Sequence, residues 1–193
     1  MQSLKLTSDD RIESFIVEGE VPSSDDEIVN TSLYGASFWD FVDGDSTRNL
    51  LNALLFTARR ERRLLDLPYR CDTWTEKRIF VMRIVPLSGA AIEVEHILYD
   101  RELISEEERD EAHPPIDNLE RCSICCSYDI GTKWIDIFPR RDEIVQPKNY
   151  VICKPCKTMA LDLVSKHDPV RSDHLLRDTG LRYKDGKRSP LLS

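Results

Sequence analysis

From Ser46 onward the apolar residues Leu50, Leu51, Leu54, Leu55 and Ala58 recur at steps of three and four, which places them on one broad face of an α-helix. Asp45 or Ser46 is suited to cap its first amides, and Arg59, Arg60, Arg62 and Arg63 stand where cations complement the dipole at its C-terminal end. The period then drops to two. Leu65, Leu67, Tyr69 and Cys71 alternate with Asp66, Pro68, Arg70 and Asp72. Ile79 to Val85 is a continuous β-prone run, and Ile92, Val94, His96 and Leu98 share one face after a turn at Ser88-Gly89. Three consecutive strands with short connections predict an antiparallel meander. Ahead of the helix, Arg11 to Val17 predicts a short strand, Pro22 to Glu27 a polar turn, and the stretch through Trp39-Asp40-Phe41 a loop or short helices.

The pattern breaks at residues 105–119, where a like-charge block is followed by Pro114-Pro115. Such a segment has no core face, and the double proline stops a helix, so it reads as a linker between a unit at 9–104 and a second one at 120–167. In the second unit Lys133 to Phe138 and Asn149 to Ile152 predict short strands. A helix follows from Cys156, with Met159, Ala160, Leu163 and Val164 apolar and Asp168-Pro169 as its stop. Residues 168–193 read as a polar tail.

Two cysteine pairs give this second unit its chemistry. Cys122-Ser-Ile-Cys125 and Cys153-Lys-Pro-Cys156 each fold into a tight turn that aims both sulfurs at one point, and two such turns complete a four-thiolate zinc shell with no vacancy for a substrate water. The 27 residues between the pairs exceed the roughly 15–20 of the commonest double-pair spacing, so a redox dithiol and an iron–sulfur cluster stand as alternatives to structural zinc. Cys126 reads as a bystander on the first turn, and Cys71 as a small buried hydrophobe in its strand.

Charge adds a second possibility. The net charge of −8 divides unevenly: residues 1–100 hold 11 Lys+Arg against 18 Asp+Glu, residues 101–120 hold 2 against 8, and residues 121–193 hold 14 against 9. The positive C-terminal part, with Lys133, Arg140, Arg141, Lys148, Lys154 and Lys157 interleaved by Trp134, Phe138 and Tyr150, admits nucleic acid as a partner. One zinc ion with four thiolates brings that excess down to about +3, so a protein partner is the stronger expectation. No apolar run approaches the roughly 18–20 residues that span a bilayer, and Met1 to Asp10 lacks the pattern of a signal peptide. A cytoplasmic protein with reduced thiols and no membrane partner is expected. Gly-rich phosphate loops, Gly-x-Ser-x-Gly elbows and His-Glu-x-x-His helices do not occur, and His113, His167 and His174 have no triad spacing, so a non-enzymatic protein is expected.

The segment Leu33-Tyr34-Gly35-Ala36-Ser37-Phe38-Trp39-Asp40-Phe41, the run Tyr69-Arg70-Cys71-Asp72 and the later cysteine pairs together resemble a group of small bacterial PAS-like proteins, over roughly residues 9–160. The order of strand, short helical segments, long helix and three antiparallel strands looks like the same fold. Tyr69 stands where that group usually has Phe, and Thr73-Trp74-Thr75 where a Ser-Pro step is common. The resemblance implies an α+β architecture: a PAS-like antiparallel sheet with flanking helices, then a zinc-ribbon-like module and a C-terminal helix. It implies a sensory or regulatory role, with an unidentified ligand held between sheet and helix near Tyr69, Cys71, Met82 and His96. Output would pass to another signalling or regulatory protein, and a homodimer fits the same reading. A thiol redox sensor built on Cys122, Cys125, Cys126, Cys153 and Cys156 is the remaining alternative.

Overall fold

The structure, a computed structural model, describes residues 2–17, 33–110, 113–138 and 146–165. The turn expected at Pro22 to Glu27, the stop at Asp168-Pro169, the tail 168–193 and residues Arg140, Arg141, His167 and His174 lie outside the described residues.

The first part is a five-stranded antiparallel sheet in the order β2-β1-β5-β4-β3, formed by β1 (Gln2–Leu6), β2 (Ile12–Val17), β3 (Leu65–Arg70), β4 (Glu76–Pro86) and β5 (Ile92–Leu103). Between β2 and β3 lie a 3-10 turn, Phe38–Phe41, and the long helix α1 (Asp45–Glu61). The strand β1 is absent from the sequence-based expectation, which began the unit at residue 9. Its two apolar residues fall in register with β5, Leu4 opposite Val94 and Leu6 opposite Ile92, so the sheet is centred on a pairing that includes the first few residues.

Registers across the sheet explain why one face is apolar. Leu65, Ile84, Val94 and Leu4 form one cross-strand row; Leu67, Met82 and His96 form the next; Tyr69, Phe80 and Leu98 form a third. Leu51, Leu54, Leu55 and Ala58 of α1 join the first two rows in a single buried core. That is the helix face the three-and-four spacing marks out. The residue capping α1 is Gly44 rather than Asp45 or Ser46, and no side chain bonds to the first amides; Ser46 Oγ is buried without a hydrogen-bond partner.

The strand β3 is an edge strand carrying a proline. Cys71 N–H donates to Arg78 O, which turns the odd-numbered amides of this strand toward β4 and the even-numbered positions outward. Pro68 therefore sits where its missing N–H costs no ladder bond. Two residues on, the outward N–H of Arg70 donates to Ile124 O at 2.7 Å. The edge is closed by the first cysteine turn.

The acidic segment folds locally into a short helix, α2 (Glu106–Asp110). Ser105 Oγ accepts from Glu108 N–H while Glu108 Oε2 accepts from Ser105 N–H, a reciprocal capping box, and Glu108 also pairs with Lys77 Nζ at 2.6 Å. Beyond it, β6 (Glu120–Cys122), β7 (Tyr128–Asp129), β8 (Trp134–Ile135) and β9 (Asn149–Val151) form a small sheet in the order β8-β7-β6-β9, with β6 and β9 parallel. Helix α3 (Lys154–Ser165) begins two residues before the expected Cys156, with Pro155 in its first turn, where a proline withholds no intrahelical bond.

The two parts share a core. Cys122, Ile124, Cys153, Cys156, Met159, Ala160 and Leu163 belong to the same buried cluster as Leu54, Leu67 and Ile84. Polar contacts follow the apolar ones. Thr47 Oγ1 lies 2.7 Å from Ser123 Oγ, and Arg63 Nη2 donates to the carbonyls of Leu163 and Val164 at 3.0 and 3.2 Å, occupying acceptors that the end of α3 leaves open. The four arginines after Ala58 thus do more than offset a dipole: Arg59 donates to Thr7 O, Ala90 O and the Asp10 carboxylate, fixing the β1–β2 turn to the helix.

Candidate metal centre

The first cysteine turn is set by backbone bonds. Cys126 N–H donates to Cys122 O at 3.0 Å, Cys122 N–H to Ser127 O at 2.8 Å, and Ser123 N–H to Val151 O at 2.9 Å. Cys126 takes φ +63°, a left-handed conformation that closes the turn, at a cost for a residue with a Cβ of roughly 1–2 kcal/mol. The second pair straddles the start of α3, with Cys153 just before the helix and Cys156 in its first turn. Parallel pairing of β6 with β9 sets Cys122 opposite Val151, which delivers Cys153 to the first turn; Cys153 N–H points at Cys122 Sγ at 3.4 Å.

The four sulfurs of Cys122, Cys125, Cys153 and Cys156 all lie within 4.8 Å of one another. A tetrahedral ion with bonds of about 2.3 Å needs sulfurs about 3.8 Å apart, and Cys125 Sγ and Cys153 Sγ are separated by 3.8 Å. The donor set fits a metal ion. Cys122, Cys153 and Cys156 are buried and Cys125 is partly exposed, so the centre lies at the rim of the shared core.

Cys126 stays outside this group. Its thiol is buried, donates to Arg70 O at 3.2 Å, and burial pushes it up to about 12, so it is a packed, protonated donor between the turn and β3. Cys71, expected to be buried, is exposed. The strand ends at Arg70, and the chain leaves the sheet before the alternation can carry Cys71 under the helix; the thiol lies 3.7 Å from Arg78 Nη2. Tyr69, Met82 and His96 do come together on the inner face. Tyr69 Oη and His96 Nδ1 are hydrogen-bonded at 2.6 Å, Phe80 stacks on Tyr69 at 5.5 Å, and burial lowers His96 from its ordinary value, which favours the neutral imidazole.

Sequence reasoning missed Asp136 and Ser127 as polar neighbours of the cysteines. Arg70 Nη1 donates to both oxygens of Asp136 at 2.9 and 2.8 Å and Nη2 pairs with Asp72; Ser127 Oγ donates to Asp136 Oδ1 at 2.9 Å and lies 3.4 Å from Cys125 Sγ. Asp136 lies 66 residues from Arg70, and no local periodicity announces such a partner. Of the aromatic residues interleaved with the basic ones, Phe138 is buried and Trp134 packs against the core, while Lys133, Lys148, Lys154 and Lys157 are exposed. Among the described residues, no helix is long and apolar enough to cross a membrane. Comparison of the chain with protein families, with curated proteins and with solved structures finds no match in any of the three.

Proposed function

We propose that this chain is a non-enzymatic sensory or regulatory protein in which a PAS-like sheet offers a binding face and the four cysteines hold one structural zinc ion. The order of two strands, short helical segments, one long helix and three antiparallel strands supports the PAS-like reading. Four sulfurs with the spacing of a closed tetrahedron support zinc in a structural role, because no coordination position is left for a substrate. When bound, the ion supplies a cross-link between the two cysteine turns and offsets their thiolate charge.

The observation that carries the binding role is the Tyr69–His96 pair. Two polar groups satisfy one another at 2.6 Å on a face otherwise built from Leu67, Phe80 and Met82, and few convergent polar groups in an apolar surface are what orients a small ligand. Native mass spectrometry of protein purified without added metal or ligand tests the reading. One zinc per chain, together with a retained small molecule or a defined protein partner, is expected. Less than about a tenth of an equivalent of zinc in freshly reduced protein removes the structural-metal reading.

A further inference from the structure

The four-cysteine centre and the Tyr69–His96 face meet at β3. Alternation places Tyr69 on the inner face and Arg70 on the outer one, and Arg70 is the residue to which the first cysteine turn is bound. Its N–H donates to Ile124 O, its carbonyl accepts from Cys126 Sγ, and its guanidinium holds Asp136 through both oxygens. Asp136 accepts from Ser127, whose hydroxyl lies beside Cys125 Sγ. A continuous hydrogen-bonded path therefore runs from one thiol of the centre to the residue next to Tyr69.

We propose that this path, Cys125 to Ser127 to Asp136 to Arg70, links metal occupancy to the geometry of the Tyr69–His96 pair, so that metal and an occupant of that face bias one another. The proposal rests on the reading of the four cysteines as a metal centre and of the inner face as a binding surface. A metal ion would fix the Cys125 sulfur among the other three, and with it the position of Ser127 Oγ, 3.4 Å away. Ser127 Oγ donates to Asp136 Oδ1 at 2.9 Å, so a displacement of Ser127 alters the bond that Asp136 accepts. What Asp136 loses or keeps is felt by Arg70, because the pair is bidentate and Arg70 is buried. Tyr69 moves with the backbone of Arg70, and its 2.6 Å bond to His96 is short enough to register the shift. Linkage makes the effect reciprocal.

The test uses the full chain and Zn2+ as the probe. Competition against a chromophoric chelator is expected to show Ser127→Ala binding one equivalent about 10–100-fold more weakly than wild type, the usual effect of losing a hydrogen bond to a metal ligand. The two proteins are then compared fully zinc-loaded by NMR. The His96 ring resonances are expected to differ, and amide exchange at Tyr69, Arg70 and Cys71 to quicken in the variant. A serine that merely helped the turn to fold would weaken zinc without moving the His96 ring. Asp136→Asn provides the same comparison through the next link and keeps the test decisive if Ser127→Ala does not fold. Failure of wild type to bind zinc overturns the metal reading and the coupling together. One equivalent of zinc with unmoved His96 resonances in both variants overturns the coupling alone.

Discussion

Gly44 lies directly against the carbonyl of Tyr150, with φ +79° and no room for a Cβ, so the start of α1 and strand β9 are in backbone contact across the two parts of the chain. Gly44→Ala adds a clash with a carbonyl to a conformation that residues with a Cβ avoid. A loss of about 2–3 kcal/mol is expected, read as a lower urea midpoint with unchanged slope.

Removing a metal ligand is expected to weaken the whole chain rather than residues 120–167 alone. Cys122 and Cys156 are part of the core that contains Leu54, Leu67 and Ile84. Cys122→Ser or Cys156→Ser should therefore abolish stoichiometric zinc and accelerate hydrogen exchange in β4 and β5 as well as in α3. Native-like protection of β4 and β5 in a metal-free variant would show that the sheet stands by itself.

Arg70 is buried between Asp72 and Asp136, and both carboxylates depend on it. Arg70→Met leaves Asp72, itself buried, without its cation, and a loss of about 3–5 kcal/mol is expected. Adding Asp72→Asn and Asp136→Asn to that variant should recover part of the loss, since the unpaired charges are then gone. Chemical denaturation of the single and triple variants measures both.

Stability should fall as the pH drops below about 6.5 through His96. Burial holds its folded value below the ordinary 6.5, so the unfolded chain takes up a proton first as the pH drops. The contribution is complete above about 6.5 and declines below it, by at most about 1.4 kcal/mol per pH unit, until the folded form also protonates. His96→Gln should remove that component. Glu108, held low by Lys77, belongs to a more acidic range and leaves this window clear.

Much of this arrangement is legible along the chain because it is periodic. The helix face of Leu51, Leu54, Leu55 and Ala58 and the alternation in β3 and β5 are visible as spacings of three and four or of two, and two close cysteine pairs declare a four-sulfur group. Other parts depend on partners far away in sequence. Leu4 and Leu6 alternate in only five residues, too few to mark β1 without Val94 and Ile92 opposite. The exposure of Cys71 follows from where the sheet ends, which alternation does not encode. Arg63 reaching the last turn of α3, and Arg70 reaching Asp136, are products of packing the second part on the first. The same packing brings residues of both expected units into one buried cluster.

The closure of the β3 edge by Ile124 has a consequence for synthesis on the ribosome. Ile124 is made 38 residues after Pro86, the last residue of β4, and at roughly 5–20 residues per second about 2–8 s separate the two. During that interval a nascent sheet presents β3 to neighbouring chains. Pro68 interrupts the outward row of amides over this strand, so a stray strand finds no continuous ladder to extend. The proline guards the edge early, and the cysteine turn takes over once it emerges.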